Sequence, residues 1–439
     1  MITGLLLLLA IASLVVLISV WRLPPFLAFL GVALALALLQ GMGTAEAMAA
    51  VQRGIGSTLG SILPVILLGA WIGAVVARTG ATRVLAEAIV GLLGRRRLAL
   101  AFMVIGFLVG LPLFYAVGFF LLVPIALSVA QQYGLHPLRI GMPLLASLSI
   151  AQGYLPPHPA PYYLSQHLPG ADMGIVLGWG ILVSIPAMLV SGLLFSRTVG
   201  HIPCQPKAFL DEGREDSPPS VWMALAVLLA PVLLIGAHTL LGTALPDGHA
   251  VLRLSGFLGE PVVAMGASLA LGVGGLGLRR GRTWRSMLAW LEESARDVAP
   301  LVFTFAGAGA FKEVLQAVKA GDTLFSLLDG WSVPPLLMGW SVAALIRIVT
   351  GSSTVAGITT AGLILPLMQS AAVDANLMVL SIGAGSMVMS HVNDSGFWLY
   401  REYFGVSMRD TLRSWTVMET LVAVTGLLGV LALDALLHG

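Results

Sequence analysis

The chain has little charge and almost no cysteine. Only 10% of its 439 residues are Asp, Glu, Lys or Arg, whereas soluble domains have about 25%. The single cysteine, Cys204, excludes a disulfide within the chain and argues against redox chemistry. The net charge of +2 gives no indication of a nucleic-acid partner. With 58% hydrophobic residues, the composition predicts an integral membrane protein.

The motifs of common enzymes and of ATP-driven pumps are also missing. The sequence contains no G-x-S-x-G, H-E-x-x-H or Walker pattern. Metal-ligand spacing is absent too, so we predict neither a metal nor a cofactor. One enzyme alternative stays open, a membrane-embedded enzyme that uses His391 and Asp394 beside Ser390 and Ser395. Nothing in the sequence fixes a nucleophile for it.

Apolar runs predict an all-α protein with about ten crossings, because roughly 20 apolar residues span a bilayer. The first run lacks the basic region of a signal peptide and is interpreted as a retained helix. Two further stretches, near 141–168 and 377–405, have polar or proline-rich centres and are predicted to be re-entrant hairpins. The predicted crossings are 3–20, 24–40, 60–77, 98–127, 175–198, 221–241, 258–278, 299–318, 336–367 and 411–437.

Basic residues orient these crossings by the positive-inside rule. We predict a bacterial-type inner membrane as the location. With both chain termini outside, the loops that hold most of the arginines lie on the cytoplasmic side of this membrane. Lys312 and Lys319 fit this arrangement least well. The basic residues expected inside are Arg22, Arg78, Arg83, Arg95–Arg97, Lys207, Arg214, Arg279, Arg280, Arg282 and Arg285.

The chain also repeats itself weakly. Pro25 matches Pro261 and Pro64 matches Pro300, in both cases 236 residues later. We therefore predict a first repeat at 1–200, a cytoplasmic linker at 201–220 and a second repeat at 221–439. Each repeat has five crossings, so the second would be inserted upside down. Inverted repeats with broken helices are typical of secondary transporters.

Four polar segments interrupt the apolar runs, at 110–115, 155–161, 350–357 and 390–398. Proline and glycine break a helix, and a broken helix exposes amide groups and the positive end of its dipole. Such a cradle suits a small organic anion, although close packing and inert kinks are the structural alternative. The predicted substrate-binding residues are Gly110, Pro156, His158, Arg347, Gly351, Ser352, Ser353, Thr354 and Asn393.

Two residues of the last segment are predicted to couple transport to protons. Asp394 could bind and release a proton in a site of low dielectric, and His391 could relay it. The alternative for Asp394 is an ionised carboxylate that pairs with Arg347 or caps a helix. Arg347 itself is either a counter-charge for the substrate or a structural partner. Glu419, inside the last run, is a weaker candidate for the proton.

At these segments the chain resembles the gluconate permease family (gluconate:proton symporters, GntP). The resemblance runs along nearly the whole length. It implies a fold similar to that of other inverted-repeat carriers with helical hairpins, and import of gluconate or related acids with protons. The most similar strings are 110–114, 155–159, 171–174, 347–357, 391–398 and 415–420.

The chain departs from the family pattern in its first half. Ala116 stands where an acidic residue is usual, Gln152 where histidine is usual, and Ala160 where glycine is usual. Tyr162 and Tyr163 replace smaller residues. These differences leave the exact acid open, and a smaller or less hydroxylated acid is an alternative to gluconate.

The sequence as a whole thus predicts a symporter that imports a sugar acid or hydroxy acid with protons. A sodium-coupled carboxylate carrier, a passive channel and the membrane enzyme above are the alternatives. The predicted partners are the organic acid and the lipid bilayer, and a homo-oligomer is left open.

Overall fold

The computed structural model describes residues 6, 9–10, 12–14, 16–21, 23–94, 97–206, 218–246, 249–319, 333–370, 373–391 and 394–438. Regular secondary structure in these residues is helical. A short π-helix, Val16–Val20, precedes the α-helices. The α-helices are α1 Pro25–Leu39, α2 Thr44–Arg78, α3 Ala81–Leu93, α4 Leu98–Gly110, α5 Tyr115–Gln132, α6 Pro137–Tyr154, α7 Pro159–His167, α8 Met173–Thr198, α9 Val221–Ala244, α10 Ala250–Gly259, α11 Pro261–Arg280, α12 Trp284–Ala317, α13 Pro335–Thr350, α14 Ser353–Ser370, α15 Ala375–Gly385, α16 Ser395–Phe404 and α17 Met408–His438.

Several helices are long and apolar enough to cross a bilayer, which confirms the predicted fold class of an all-α membrane protein. Within the described residues, seven helices meet this criterion by length and composition: α2, α5, α8, α9, α11, α12 and α17. Three of them contain a π-helical segment, which widens a turn without ending the helix, and one of these, α11, also ends in a tighter 3-10 turn.

Two predicted crossings are each divided into two helices. The run 98–127 is broken between α4 and α5, and the run 336–367 is broken between α13 and α14. The polar segments that the sequence places inside these runs are where the breaks occur. The two predicted hairpins also contain breaks, one between α6 and α7 and one between α15 and α16. All four interruptions of the sequence are therefore interruptions of the helical structure.

The two longest helices, α2 and α12, pack against each other and run in opposite directions. Arg78, at the end of α2, pairs with Glu293 near the start of α12. At the other end, Arg53 Nε lies 3.5 Å from Glu313 Oε1. Gly54 and Gly309 meet between these pairs, where a Cβ on Gly54 would lie 2.3 Å from the Gly309 carbonyl oxygen. Small residues thus permit close approach of the helix backbones.

Two prolines of the first half and their predicted equivalents in the second half occupy similar places in their helices. Pro25 and Pro261 each occupy the first turn of a helix. Pro64 and Pro300 each lie inside a helix of more than 30 residues. The equivalent helices α2 and α12 run antiparallel, as an inverted repeat requires. The full inverted repeat and the three predicted regions stay predictions, as does the orientation of the termini.

Part of the predicted topology lies outside the described residues. This applies to five of the basic residues expected in the cytoplasm and to most of the linker between the halves. The residues concerned are Arg22, Arg95, Arg96, Lys207 and Arg214, with the segment 207–217.

Candidate functional site

Arg347 joins two of the helix breaks. Its side chain is only 4% exposed and lies in the last turn of α13. Nη1 donates to the carbonyl oxygen of Gly351, which has the left-handed conformation that ends the helix. Nη2 donates to Oδ2 of Asp394 at 2.5 Å. Nε has no hydrogen-bond partner among the described residues. One guanidinium therefore connects the segment after α13 with the start of α16.

Asp394 has several partners besides Arg347. Its Oδ1 accepts a hydrogen bond from the amide of Gly396 at 2.9 Å, which caps α16. Its Oδ2 also accepts from the hydroxyl of Ser390. Asp394 thus pairs with arginine and caps a helix, as one of the two interpretations of the sequence describes, and its role in coupling to protons stays a prediction.

Ser390 ties this network to the last helix, α17. Its hydroxyl accepts a hydrogen bond from Trp415 Nε1 at 2.7 Å. Its carbonyl oxygen accepts one from Thr416 Oγ1 at 2.6 Å. Because both donors lie in the π-helical turn of α17, the break before α16 is held against that turn.

His391, in the same break, contacts the end of α13. Its Nε2 lies 3.1 Å from the carbonyl oxygen of Ile348, one residue after Arg347. The ring therefore satisfies a carbonyl group near the end of α13. This contact does not test the predicted role of His391 as a proton relay. Asn393, the other polar residue predicted here, lies outside the described residues.

The predicted hydroxyl residues lie at the start of α14. Ser352 accepts a hydrogen bond from the amide of Val355 at 3.3 Å and so caps the helix. Ser353 is buried and its hydroxyl accepts a hydrogen bond from Gln152 Nε2 at 3.4 Å. Thr354 is buried in the first turn. The Gly351–Thr354 segment and Asp394 are therefore close in space, because Arg347 contacts both ends.

Gln152 connects the two halves of the chain. Its Oε1 accepts a hydrogen bond from the amide of Tyr115 at 2.9 Å, at the start of α5. Its amide nitrogen reaches Ser353 at the start of α14. The beginnings of both broken helices, one in each half, thus meet at one side chain. The sequence singled out Gln152 only as a departure from the family pattern.

In the first half, His158 occupies the position that the sequence predicts for it, at the break before α7. It is 3% exposed, and its Nε2 lies 2.6 Å from the carbonyl oxygen of Gly110 at the end of α4. Pro156 lies in the same break, and its peptide bond to Pro157 is cis. Three predicted residues are thereby brought together, since His158 joins the break after Gly110 to the break that contains Pro156.

Glu419, a polar residue that the sequence ranked low, is buried in the same region together with its partner Ser149. Glu419 of α17 is 1% exposed, and its Oε1 accepts a hydrogen bond from Ser149 Oγ at 2.5 Å. Ser149 is missing from the predicted site. The spacing could have revealed it, because Ser149 and Gln152 are three residues apart in α6 and thus share a face.

Lys312, which fits the predicted topology poorly, has partners inside the protein. Its side chain is buried, and Nζ donates to the hydroxyl of Tyr163 at 2.8 Å. Glu313 Oε2 lies 3.9 Å away. A lysine that is paired at depth does not report on loop orientation, so the positive-inside rule does not apply to it.

The sequence matches the GntP family permeases over residues 2–436. The chain belongs to this family. Its relatives include the Gnt-II system L-idonate transporter of Escherichia coli K12, 38% identical with 98% of each chain covered. They also include the gluconate permease of Pseudomonas aeruginosa, 37% identical over 98% of this chain and 97% of that one. The predicted family is confirmed, and the GntP family member described here is a transporter and not an enzyme.

Two solved transporter structures have a similar fold. The Alcanivorax borkumensis YdaH transporter has a TM-score of 0.63 and covers 94% of this chain and 98% of its own, at 16% identity. Neisseria gonorrhoeae MtrF has a TM-score of 0.60, with 90% and 85% covered, at 14% identity. At such low identity the similarity shows the fold alone, which is that of a multi-pass membrane transporter.

Proposed function

We propose that this GntP family permease imports a small organic acid, a sugar acid or a related hydroxy acid, together with protons. The observation on which the proposal rests is the buried guanidinium of Arg347 at the meeting point of two helix breaks. The printed names of the relatives, which are gluconate and L-idonate transporters, support the substrate class. We further propose a bacterial-type inner membrane as its location, with both termini outside.

Arg347 is suited to exchange its partners. Its two terminal nitrogens bind a carbonyl oxygen and a carboxylate oxygen of the protein itself. Arginine binds carboxylates through two parallel hydrogen bonds. A substrate carboxylate would therefore replace the Gly351 carbonyl or share the guanidinium with Asp394. In the conformation described here, groups of the protein itself occupy the two terminal nitrogens that would bind the substrate.

The start of α14 supplies the polar groups for the rest of the substrate. A helix start offers amide donors and the positive end of the dipole. Ser352 and Ser353 offer hydroxyls that both donate and accept. Gln152, held between Tyr115 and Ser353, has the same capacity. Such a set matches a molecule with one carboxylate and several hydroxyl groups.

Uptake by proteoliposomes tests the proposal. The purified chain is reconstituted, and radiolabelled gluconate is offered with L-idonate, other hydroxy acids and D-amino acids as competitors. We expect saturable uptake that an inward proton gradient stimulates and a protonophore abolishes. Uptake that follows a sodium gradient at fixed pH would show that the coupling ion is sodium and not the proton. Linear, non-saturable flux of all the acids would indicate a channel instead.

A further inference from the structure

Glu419 is a buried carboxylate near the proposed site, with a single hydrogen-bond partner among the described residues. It lies in α17, one helical turn after the π-helical segment. Oε1 accepts a hydrogen bond from Ser149, whereas Oε2 has no hydrogen-bond partner among the described residues. The side chain is 1% exposed. An ionised carboxylate at such a position would leave one charged oxygen without hydration or a donor.

The surrounding charges do not compensate for this. The titratable groups that interact electrostatically with Glu419 are Arg347 of α13, Asp394 before α16, Tyr115 of α5 and Tyr154 of α6. Arg347, the cation among these groups, directs both terminal nitrogens at Gly351 and Asp394. The Tyr154 hydroxyl donates to the carbonyl oxygen of Val422. None of these groups donates a hydrogen bond to Oε2 of Glu419.

Asp394 differs from Glu419 in its contacts. Its two oxygens accept hydrogen bonds from Arg347, Ser390 and the amide of Gly396. Hydrogen bonds from a charged donor such as arginine are stronger than those from a neutral hydroxyl. Of these two carboxylates, Asp394 therefore has a counter-charge, whereas Glu419 has a single neutral hydroxyl.

We propose that Glu419 binds the transported proton and that one proton crosses with each monovalent acid, without net movement of charge. This inference rests on the proposed function, because it assigns the coupling to one group of the same site. On the entry side, a proton leaves hydronium and an O–H bond forms at Oε2. On the exit side, the same bond breaks and the proton passes to water.

Electrostatics links the two ligands. The charges of Arg347 and Asp394 cancel, so the site is neutral when Glu419 is protonated and accepts one anion. When Glu419 is ionised, the site has a net negative charge, which repels a carboxylate at short range in a medium of low dielectric. The substrate therefore binds after the proton, and the loaded site has the same single net negative charge as the empty site with ionised Glu419, so that a full cycle moves no net charge.

The Glu419→Gln variant tests the assignment in proteoliposomes. Glutamine keeps the shape and imitates the protonated state. We expect this variant to exchange internal for external radiolabelled gluconate at a rate independent of pH. Its gradient-driven accumulation should fall to equal concentrations on the two sides, whereas the wild type accumulates about tenfold per pH unit. Asp434→Asn, an exposed carboxylate in the same helix, is the matched control and should accumulate like the wild type.

A measurement on the wild type does not depend on a variant that folds. With the membrane potential clamped by potassium and valinomycin, the initial rate of gluconate uptake should be the same at all potentials. A rate that rises with inside-negative potential would overturn the one-to-one stoichiometry. Glu419→Asp should retain accumulation with a displaced pH profile, and its complete loss in a folded protein would contradict a titrating carboxylate.

The outcomes separate this inference from the proposed function. If the wild type takes up no organic acid, or takes it up with sodium, the proposed function is wrong. If the wild type is proton-coupled and Glu419→Gln still accumulates gluconate, the proposed function stands and the assignment of Glu419 is wrong.

Discussion

The guanidinium of Arg347 lies 2.5 Å from the carboxylate of Asp394, with the two side chains 4% and 15% exposed. The two residues are 47 positions apart in sequence. Each stands at the end of a broken helix, Arg347 in the last turn of α13 and Asp394 at the cap of α16. This ion pair therefore holds the two breaks of the second half against each other.

Removing Arg347 should destabilise the protein strongly. In Arg347→Ala the carboxylate of Asp394 loses its counter-charge while it stays largely buried, which costs about 3–5 kcal/mol of unfolding free energy. The double variant Arg347→Ala/Asp394→Ala should lose less than the sum of the single losses. Thermal unfolding in detergent measures this cycle. The exposed pair Arg83–Glu87 is the control, and Arg83→Ala should cost less than about 1 kcal/mol. Additive losses at Arg347 and Asp394 would contradict the coupling.

Removing the Gln152 amide should impair substrate binding. Gln152→Met keeps the length of the side chain but lacks the groups that contact Tyr115 and Ser353. Without the Gln152 amide, the substrate hydroxyl that it is proposed to bind would be left without a hydrogen-bond partner. Because such a loss costs about 1–3 kcal/mol, the KM for the preferred acid should rise about 5- to 150-fold. Gln131→Met, an exposed change in α5, should leave the KM unchanged. An unchanged KM in Gln152→Met would remove Gln152 from the site.

Glycine is required at position 405 for two reasons. Its φ is +60°, and a Cβ there would lie 1.9 Å from the carbonyl oxygen of Gln205, which belongs to the linker. Gly281 has a similar φ of +80° but no atom within 4 Å of the Cβ position. Gly281→Ala should therefore cost roughly 1–2 kcal/mol from backbone strain alone. Gly405→Ala should cost more and lower the melting temperature further. Equal losses would show that the linker contact is unimportant.

Cys204 should react slowly with maleimides. Burial, and to a smaller extent Asp410, raise the pKa of its thiol to about 12, from an ordinary value of 9.0. Since the thiolate is the nucleophile, its reactive fraction at pH 7 is roughly 1000-fold lower than that of a free thiol. The labelling rate should rise about tenfold per pH unit between pH 7 and pH 10.

An exposed cysteine in the same region provides the control. In Cys204→Ser/Ser220→Cys, the new thiol lies at an exposed position just before α9 and should react rapidly at pH 7. A membrane-impermeant maleimide should label it in inside-out vesicles and leave right-side-out vesicles unlabelled. Labelling in right-side-out vesicles alone would reverse the predicted orientation.

Much of the fold follows from local sequence properties. Hydrophobicity and length predict membrane helices at most of their observed positions, because the bilayer fixes both requirements. Proline and glycine predict the four breaks. The predictions are less accurate where a helix continues past the apolar run: α2 begins at Thr44 and α12 at Trp284, about 15 residues before the predicted crossings. These extensions are polar, and each pairs with the C-terminal end of the other helix, Arg53 with Glu313 and Glu293 with Arg78, which a hydropathy window does not detect.

The candidate site was predictable in its residue types but less so in its pairings. The sequence identified Arg347, Asp394 and His158 because charged or polar groups at membrane depth are costly. It left open whether Asp394 pairs with Arg347, since the sequence predicts where the helices break but not how far apart the breaks lie in space. It also ranked Glu419 low, because its position inside an apolar run does not reveal that one of its oxygens lacks a donor.

The sequence by itself determined the class of protein, its helical composition and the four places where helices break, because these depend on local hydrophobicity and backbone geometry. Only the tertiary structure decided which breaks meet: Arg347 with Gly351 and Asp394, Gln152 with Tyr115 and Ser353. Such pairings depend on how helices far apart in the chain pack together, and short-range interactions do not specify that arrangement.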